Sequence, residues 1–242
     1  RRGGDNAREL RCPQRSTLRQ YRDEAMSIKP TINGLLLAAI IPLLAGCTEP
    51  VAEQELLPYY ADTTLTPLWV ELDSLDVIVP HRVDEVRGID QAGRTIDENL
   101  FEGKITVVDF FFTRCPNICP TLTENMVRIQ DAFADEDRVG LVSLSVTPHL
   151  DSVSVLRRYA DQYGVDDRRW RMITGDRNEI YLFARESLFA DIDTTADDFL
   201  HSETFYLVGP DRRIRGIYNG TLGAEIVNLI GDIERLLEEI PA

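Results

Sequence analysis

Two rhythms of apolar and polar positions run through the second half of the chain. Residues 105–112, ITVVDFFF, are apolar at nearly every position, the pattern of a strand covered on both faces. VGLVSLSV at 139–146 repeats it. Between the two, Leu122, Met126, Ile129 and Phe133 recur at helical spacing. SVSVLRRYADQYG (152–164) predicts a helix that stops at Gly164, where a residue without Cβ accepts the left-handed turn. Asn178 to Leu188 predicts another helix. TFYLVGPDRRIRGIYNG (204–220) predicts a hairpin turning at Gly209-Pro210-Asp211. From Ala224 to Glu238, Ile226, Leu229, Ile230, Ile233 and Leu237 line one side of a closing helix. Upstream, VDEVRGID and GRTID flank Gln91-Ala92-Gly93 as a hairpin. Arg168-Arg169 reads as a surface turn and Trp170 as core.

The resulting order is a β-hairpin, βαβα, a further helix, then ββα. Strand–helix–strand units imply an α/β fold with a parallel core, and the last hairpin adds antiparallel strands. About 160 such residues suffice for one well-buried domain. In these sheets, functional loops gather beyond the carboxyl ends of the strands. The loop RCPNICP follows one predicted central strand and Thr147-Pro148-His149 follows its neighbour, so both are expected on one rim.

The first eighty residues have a different grammar. Met26 opens MSIKPTINGLLLAAIIPLLAGC, with Lys29, an apolar run from Leu35 to Leu44 and a small-residue exit into Cys47. That is the form of a secretory signal. The run is short for a spanning helix, which needs about 20 residues. Leu44-Ala45-Gly46-Cys47 resembles a bacterial lipobox, in which the cysteine is acylated and becomes the new N-terminus. The expected division is 1–25 as an arginine-rich upstream extension foreign to the mature protein, 26–46 as a lipoprotein signal, 47–82 as a lipidated tether and arm, and 83–242 as the folded domain. Within the arm, Leu57, Tyr59, Tyr60 and Trp69 are the expected apolar anchors. The protein is thus expected to be exported, facing the periplasm or cell exterior, and held to a membrane through a lipid on Cys47.

Charge narrows the partners. Residues 1–46 hold eight of the 26 Lys/Arg and four of the 41 Asp/Glu, which leaves the remainder at a net charge of −19. Such a surface repels phosphate backbones, so nucleic acid is not an expected partner.

Cysteine usage brings in the chemistry. With Cys12 in the extension and Cys47 lipidated, Cys115 and Cys119 are the remaining thiols, in an oxidising compartment. Four residues apart, they share a helix face or meet in a loop entering a helix, and Pro116 and Pro120 favour the latter. A helix N-terminus stabilises thiolate. A disulfide, a thiol nucleophile and a pair of soft metal ligands all fit. A bridge this short closes too small a loop to stabilise much. Two thiolates favour Cu(I) or zinc, and one imidazole would complete a three-ligand copper site. The chain has three histidines. His201, just before TFYLV, is the candidate ligand; His149, on the expected rim, is a candidate auxiliary ligand; His81 reads as a surface or capping residue. Asp109, inside the apolar strand, is either a strand-end hydrogen-bonding residue or an acid that assists the thiols. The acidic run Asp191–Asp198 reads as a solvated loop, since it lacks the glycine and terminal glutamate of a calcium loop.

Together, FFFTRCPNICP, SVTPHLD and HSETFYLVGPDRRIRGIYNG resemble the Sco/SenC family of copper-binding, thioredoxin-like assembly proteins, over residues 83 to 240. The resemblance implies a thioredoxin-like fold with an inserted hairpin. It implies copper, as Cu(I) or also Cu(II), held by Cys115, Cys119 and His201. It implies a role at the binuclear copper site on subunit II of cytochrome c oxidase, with copper received from another periplasmic donor. The work there would be copper delivery, reduction of the target's cysteines by Cys115 and Cys119, or both. Two positions depart from the pattern: Thr147 stands where many members have the aspartate of SVDP, and Leu200 where many have aspartate before the ligand histidine.

Overall fold

The computed structural model describes residues 56–79, 81–96, 99–190 and 202–239. Its elements in chain order are α1 (Leu75–Ile78), β1 (Ile89–Asp90), β2 (Ile105–Phe111), α2 (Ile118–Ala132), β3 (Val139–Ser145), α3 (Val153–Tyr163), β4 (Trp170–Thr174), α4 (Arg177–Ser187), β5 (Thr204–Val208), β6 (Ile214–Asn219) and α5 (Gly223–Glu239). One six-stranded sheet runs β1-β4-β3-β2-β5-β6. β2, β3 and β4 are parallel; β5 joins β2, β6 joins β5 and β1 joins β4, all antiparallel.

β2 and β3 are buried at every position, as their unbroken apolar runs require. Alternation along β2 sends Ile105, Val107 and Phe111 to one face, where Leu122, Met126 and Ile129 of α2, Leu156 of α3 and Ile226, Leu229 and Ile233 of α5 cover them. Val108 and Phe110 face the other way, onto Ile180, Phe183 and Ala184 of α4 and Phe101. The helix at 153–163 ends as its sequence predicts: Gly164 sits at φ 69°, in the left-handed cap.

Three elements differ from the sequence reading. β4 was not foreseen: WRMIT is short, and Arg171 interrupts its apolar run. Arg168-Arg169 lie in a turn as expected and Arg168 is exposed, but Arg169 is buried, with Nη1 and Nη2 donating to the carbonyls of Phe133 and Ala134 at the end of α2. Trp69 is no anchor, being 63% exposed. Leu57, Tyr59, Leu75 and Val79 are buried in the arm instead.

The arm is fastened by Arg213, just ahead of β6, and Arg215 within it. Arg215 Nη2 donates to Leu57 O at 2.9 Å and to Glu239 Oε2 at 3.0 Å, and its guanidinium lies 4.1 Å from the centre of the Tyr59 ring. Arg213, 2% exposed, donates to Val79 O at 2.8 Å and to Asp76 and Asp211. A buried guanidinium persists only where its donors are met, and the arm meets them.

Candidate metal centre

β2 ends at Phe111 and delivers the chain to the rim. There Val146 N donates to Phe111 O at 2.9 Å, so β3 ends beside it. α2 then begins at Ile118, which places Cys119 in its first turn and Cys115 just ahead of it. Asn117 occupies the N-cap position yet its side chain makes no capping bond. The Cys115 sulfur takes over that role. It faces the backbone N–H groups of Cys119, Asn117 and Ile118, which the helix start leaves without intrahelical partners.

The two thiols are free and buried, and they differ in proton affinity. Burial pushes the Cys115 thiol up, but the three backbone N–H donors and the Cys119 thiol outweigh it, and the net shift is down. Burial pushes Cys119 up to about 12, helped by the hydrogen bond with Cys115 and the nearby charges of Cys115 and Asp109, against a bond from the Phe112 backbone. At neutral pH the pair is therefore a thiolate-prone Cys115 that accepts from a protonated Cys119.

Two buried carboxyls serve this corner from below and beside. Asp109 is 2% exposed, on the same face of β2 as Phe111. Its register partner Ser143 donates to Oδ1 at 2.5 Å, and Trp170 Nε1 donates to Ser143 Oγ at 2.9 Å, so a polar line crosses three strands beneath the cysteines. Burial pushes the Asp109 carboxyl up to about 7, against the Ser143 bond. Asp109 is thus a hydrogen-bonded strand residue and also a group charged only in part at neutral pH.

Asp151 was not singled out from the sequence. Fully buried, it accepts from Thr113 Oγ1 at 2.5 Å, Ser145 Oγ at 2.6 Å and Thr147 Oγ1 at 2.9 Å. It therefore ties the segment before Cys115 to the end of β3. The one signal was an aspartate four residues after Thr147 in SVTPHLD, among hydroxyl-bearing neighbours. Thr147, one of the two departures from the family pattern, is buried and spends its hydroxyl on Asp151.

The histidines part company. His81 Nε2 lies 2.9 Å from Ser187 O and the ring packs on Phe189, a structural role as expected. His149 is exposed in the turn after β3. Among the described residues no three His, Cys, Asp or Glu side chains form a group able to hold a metal, so His149 does not complete a site with the sulfurs. His201 and Leu200 lie outside the described residues, as do Cys12, Cys47 and Asp191–Asp198.

The SCO1/SenC family description matches residues 83–238. The chain belongs to the SCO1/SenC family. A SCO1 protein homolog of Bacillus subtilis is 32% identical over 148 residues, 60% of this chain and 77% of that one. A solved SCO1/SenC family lipoprotein of Bacillus anthracis is 27% identical, with a TM-score of 0.57 over 64% of this chain and 95% of the other. BsSco, solved as a member of the Sco family of cytochrome c oxidase assembly proteins with a disulfide switch, is 30% identical, with a TM-score of 0.57 over 64% and 93%. The fold is therefore the thioredoxin-like one of solved Sco proteins. Sco homologues have been solved with copper bound, ScoI of Bradyrhizobium japonicum among them. No helix among the described residues of this SCO1/SenC protein is long and apolar enough to cross a membrane.

Proposed function

We propose that this protein carries one copper ion between Cys115, Cys119 and His201 and delivers it to the binuclear copper site of cytochrome c oxidase. The observation that supports this most is the pairing of two soft donors in mutual contact at the N-terminus of α2, one of them already inclined to the thiolate. Copper(I) accepts low coordination, and two thiolates with one neutral imidazole satisfy it. Binding costs the proton that Cys119 holds tightly, so occupancy should fall as pH falls. His201 precedes β5 in the sequence, and β5 pairs antiparallel with β2, the strand that leads to the cysteines, which supports its inclusion. The test is anaerobic titration of the reduced full chain with Cu(I). One copper per chain is expected for the wild type, loss of tight binding for Cys115→Ser, and weakened binding with reducible thiols for His201→Ala. A His201→Ala protein that binds as tightly as wild type removes the imidazole from the site.

The unlike proton affinities also favour a second reading, thiol–disulfide reduction of the target's cysteines. Cys115 thiolate attacks a partner disulfide and releases one partner thiolate. Cys119, on losing its proton, attacks Cys115 Sγ, releases the second partner thiol and leaves a Cys115–Cys119 disulfide. The partner gains two electrons and this protein loses them. Reduction of an oxidised peptide carrying the copper-site cysteines, compared between wild type and Cys119→Ser, tests it. The variant is expected to stop at the mixed disulfide. For localisation we propose export and acylation at Cys47, with residues 1–25 absent from the mature protein. Loss of lipid labelling in Cys47→Ser checks the anchor.

A further inference from the structure

The sheet end opposite the cysteines holds a cavity. Its volume is about 290 Å³, and it lies at the start of β2, β3 and β4, walled by the segment after β1. Its lining residues include Arg94, Lys104, Arg168, Arg169, Arg171 and Asp90. Arg94 and Arg171 pair with Asp90, Arg168 pairs with Asp166, and Arg169 is held by Asp166 and the carbonyls ending α2. Asp90 is already saturated, accepting from Arg94 Nε at 2.7 Å, Arg171 Nη1 at 3.3 Å and two backbone N–H groups.

Thr106 lines the cavity and is 1% exposed, and its Oγ1 has no hydrogen-bond partner. A buried hydroxyl left this way is costly unless something enters to accept its proton. Lys104, two residues earlier, has no ion-pair partner among the described residues. Gly140, the register partner of Thr106, leaves the space open. A Cβ built there would stand 3.6 Å from Thr106 Oγ1 and 3.9 Å from both Arg169 O and Lys104 Cδ, all ordinary contacts. Backbone sterics do not demand glycine at this position. Its missing side chain leaves space beside the hydroxyl and the Lys104 stem.

We propose that this cavity binds a phosphate-class oxyanion, free or as the ester of a small molecule. The oxyanion accepts from Thr106 Oγ1 and Lys104 Nζ. The volume exceeds that of a bare ion and leaves room for an ester substituent. No copper chemistry is involved, since the cysteines lie past the other end of β2.

The test uses the full chain, reduced and metal-free, at low ionic strength. Line broadening in ³¹P NMR is followed with inorganic phosphate and, separately, with glycerol phosphate, against sodium chloride at matched ionic strength. Either phosphate is expected to bind the wild type, and which one binds tighter identifies the source. Lys104→Met should weaken binding about tenfold or more, the loss of a charged hydrogen bond. Gly140→Val, which fills the opening, should abolish it while the Cys115 alkylation rate stays as in wild type. Thr106→Val should weaken binding and leave the ligand-free protein as stable as wild type or more so, because it removes the unpaired hydroxyl. Absence of binding by the wild type, or equal binding by Gly140→Val and Lys104→Met, overturns the proposal.

Discussion

Thr113 donates its hydroxyl to the buried carboxylate of Asp151 at 2.5 Å, two residues ahead of Cys115 and 38 positions away in the chain. The same carboxylate holds Ser145 and Thr147 at the end of β3. Replacing it by alanine strands three hydroxyls at once. Asp151→Ala is expected to lose about 2–4 kcal/mol in urea unfolding, whereas removing one donor, in Thr147→Val, should cost roughly 1 kcal/mol or less. If the two variants lose the same stability, Asp151 is not the shared acceptor.

The cysteines should react unequally. Cys115 is pulled down by the N–H groups at the start of α2 and Cys119 is pushed up to about 12 by burial. Iodoacetamide at pH 7 is expected to label Cys115 first in the reduced, metal-free chain. Its rate should level off with rising pH below the range of an ordinary thiol, about 8.5. Peptide mapping after limited labelling reads the order directly, and Cys115→Ser should remove the fast phase.

Asp109 should make the protein less stable as pH rises. Its folded carboxyl titrates at about 7, above the unfolded value of about 3.9. Between those values the folded state holds more protons than the unfolded one, so stability falls as pH rises through the window. The contribution is complete below about pH 4 and gone above about pH 7, with an upper bound of roughly 4 kcal/mol for a shift of this size. Asp109→Asn keeps an acceptor for Ser143 and carries no charge. It is expected to flatten the profile and to exceed wild type in stability at pH 8 but not at pH 4. Parallel profiles for the two proteins would mean that Asp109 is not the titrating group.

The arm should depend on Arg215. This side chain, 4% exposed, joins Leu57, Pro58, Tyr59 and Glu239. Arg215→Ala is expected to cost about 2–3 kcal/mol in urea unfolding. It should also make the chain near Tyr59 the first site of cleavage in limited proteolysis, ahead of any cut within β2 or β3.

The central strands, the helix ending at Gly164 and the β5–β6 hairpin were legible because each rests on a local signal: an unbroken apolar run, a glycine cap, a turn tripeptide. The cysteine corner was legible for a similar reason, since two thiols four apart with flanking prolines constrain their own neighbourhood. β4 was not, because five residues broken by Arg171 read as a strand only once β3 and β1 flank them. Trp69 misled because a large apolar side chain says nothing by itself about where its chain runs. Arg169 and Asp151 were missed for the converse reason. A charged residue is buried only when distant partners meet it, and those partners are the carbonyls ending α2 in one case and three hydroxyls in the other.

The fastening of the arm by Arg213 and Arg215 bears on how this protein can be cut for recombinant work. A fragment trimmed to residue 83, where the family likeness begins, would discard Leu57, Asp76 and Val79 and leave two guanidiniums opening onto water beside uncovered apolar side chains. Soluble, monodisperse preparations should start at or ahead of Leu56, so that the segment leading in from the N-terminus is kept as a wall of the domain.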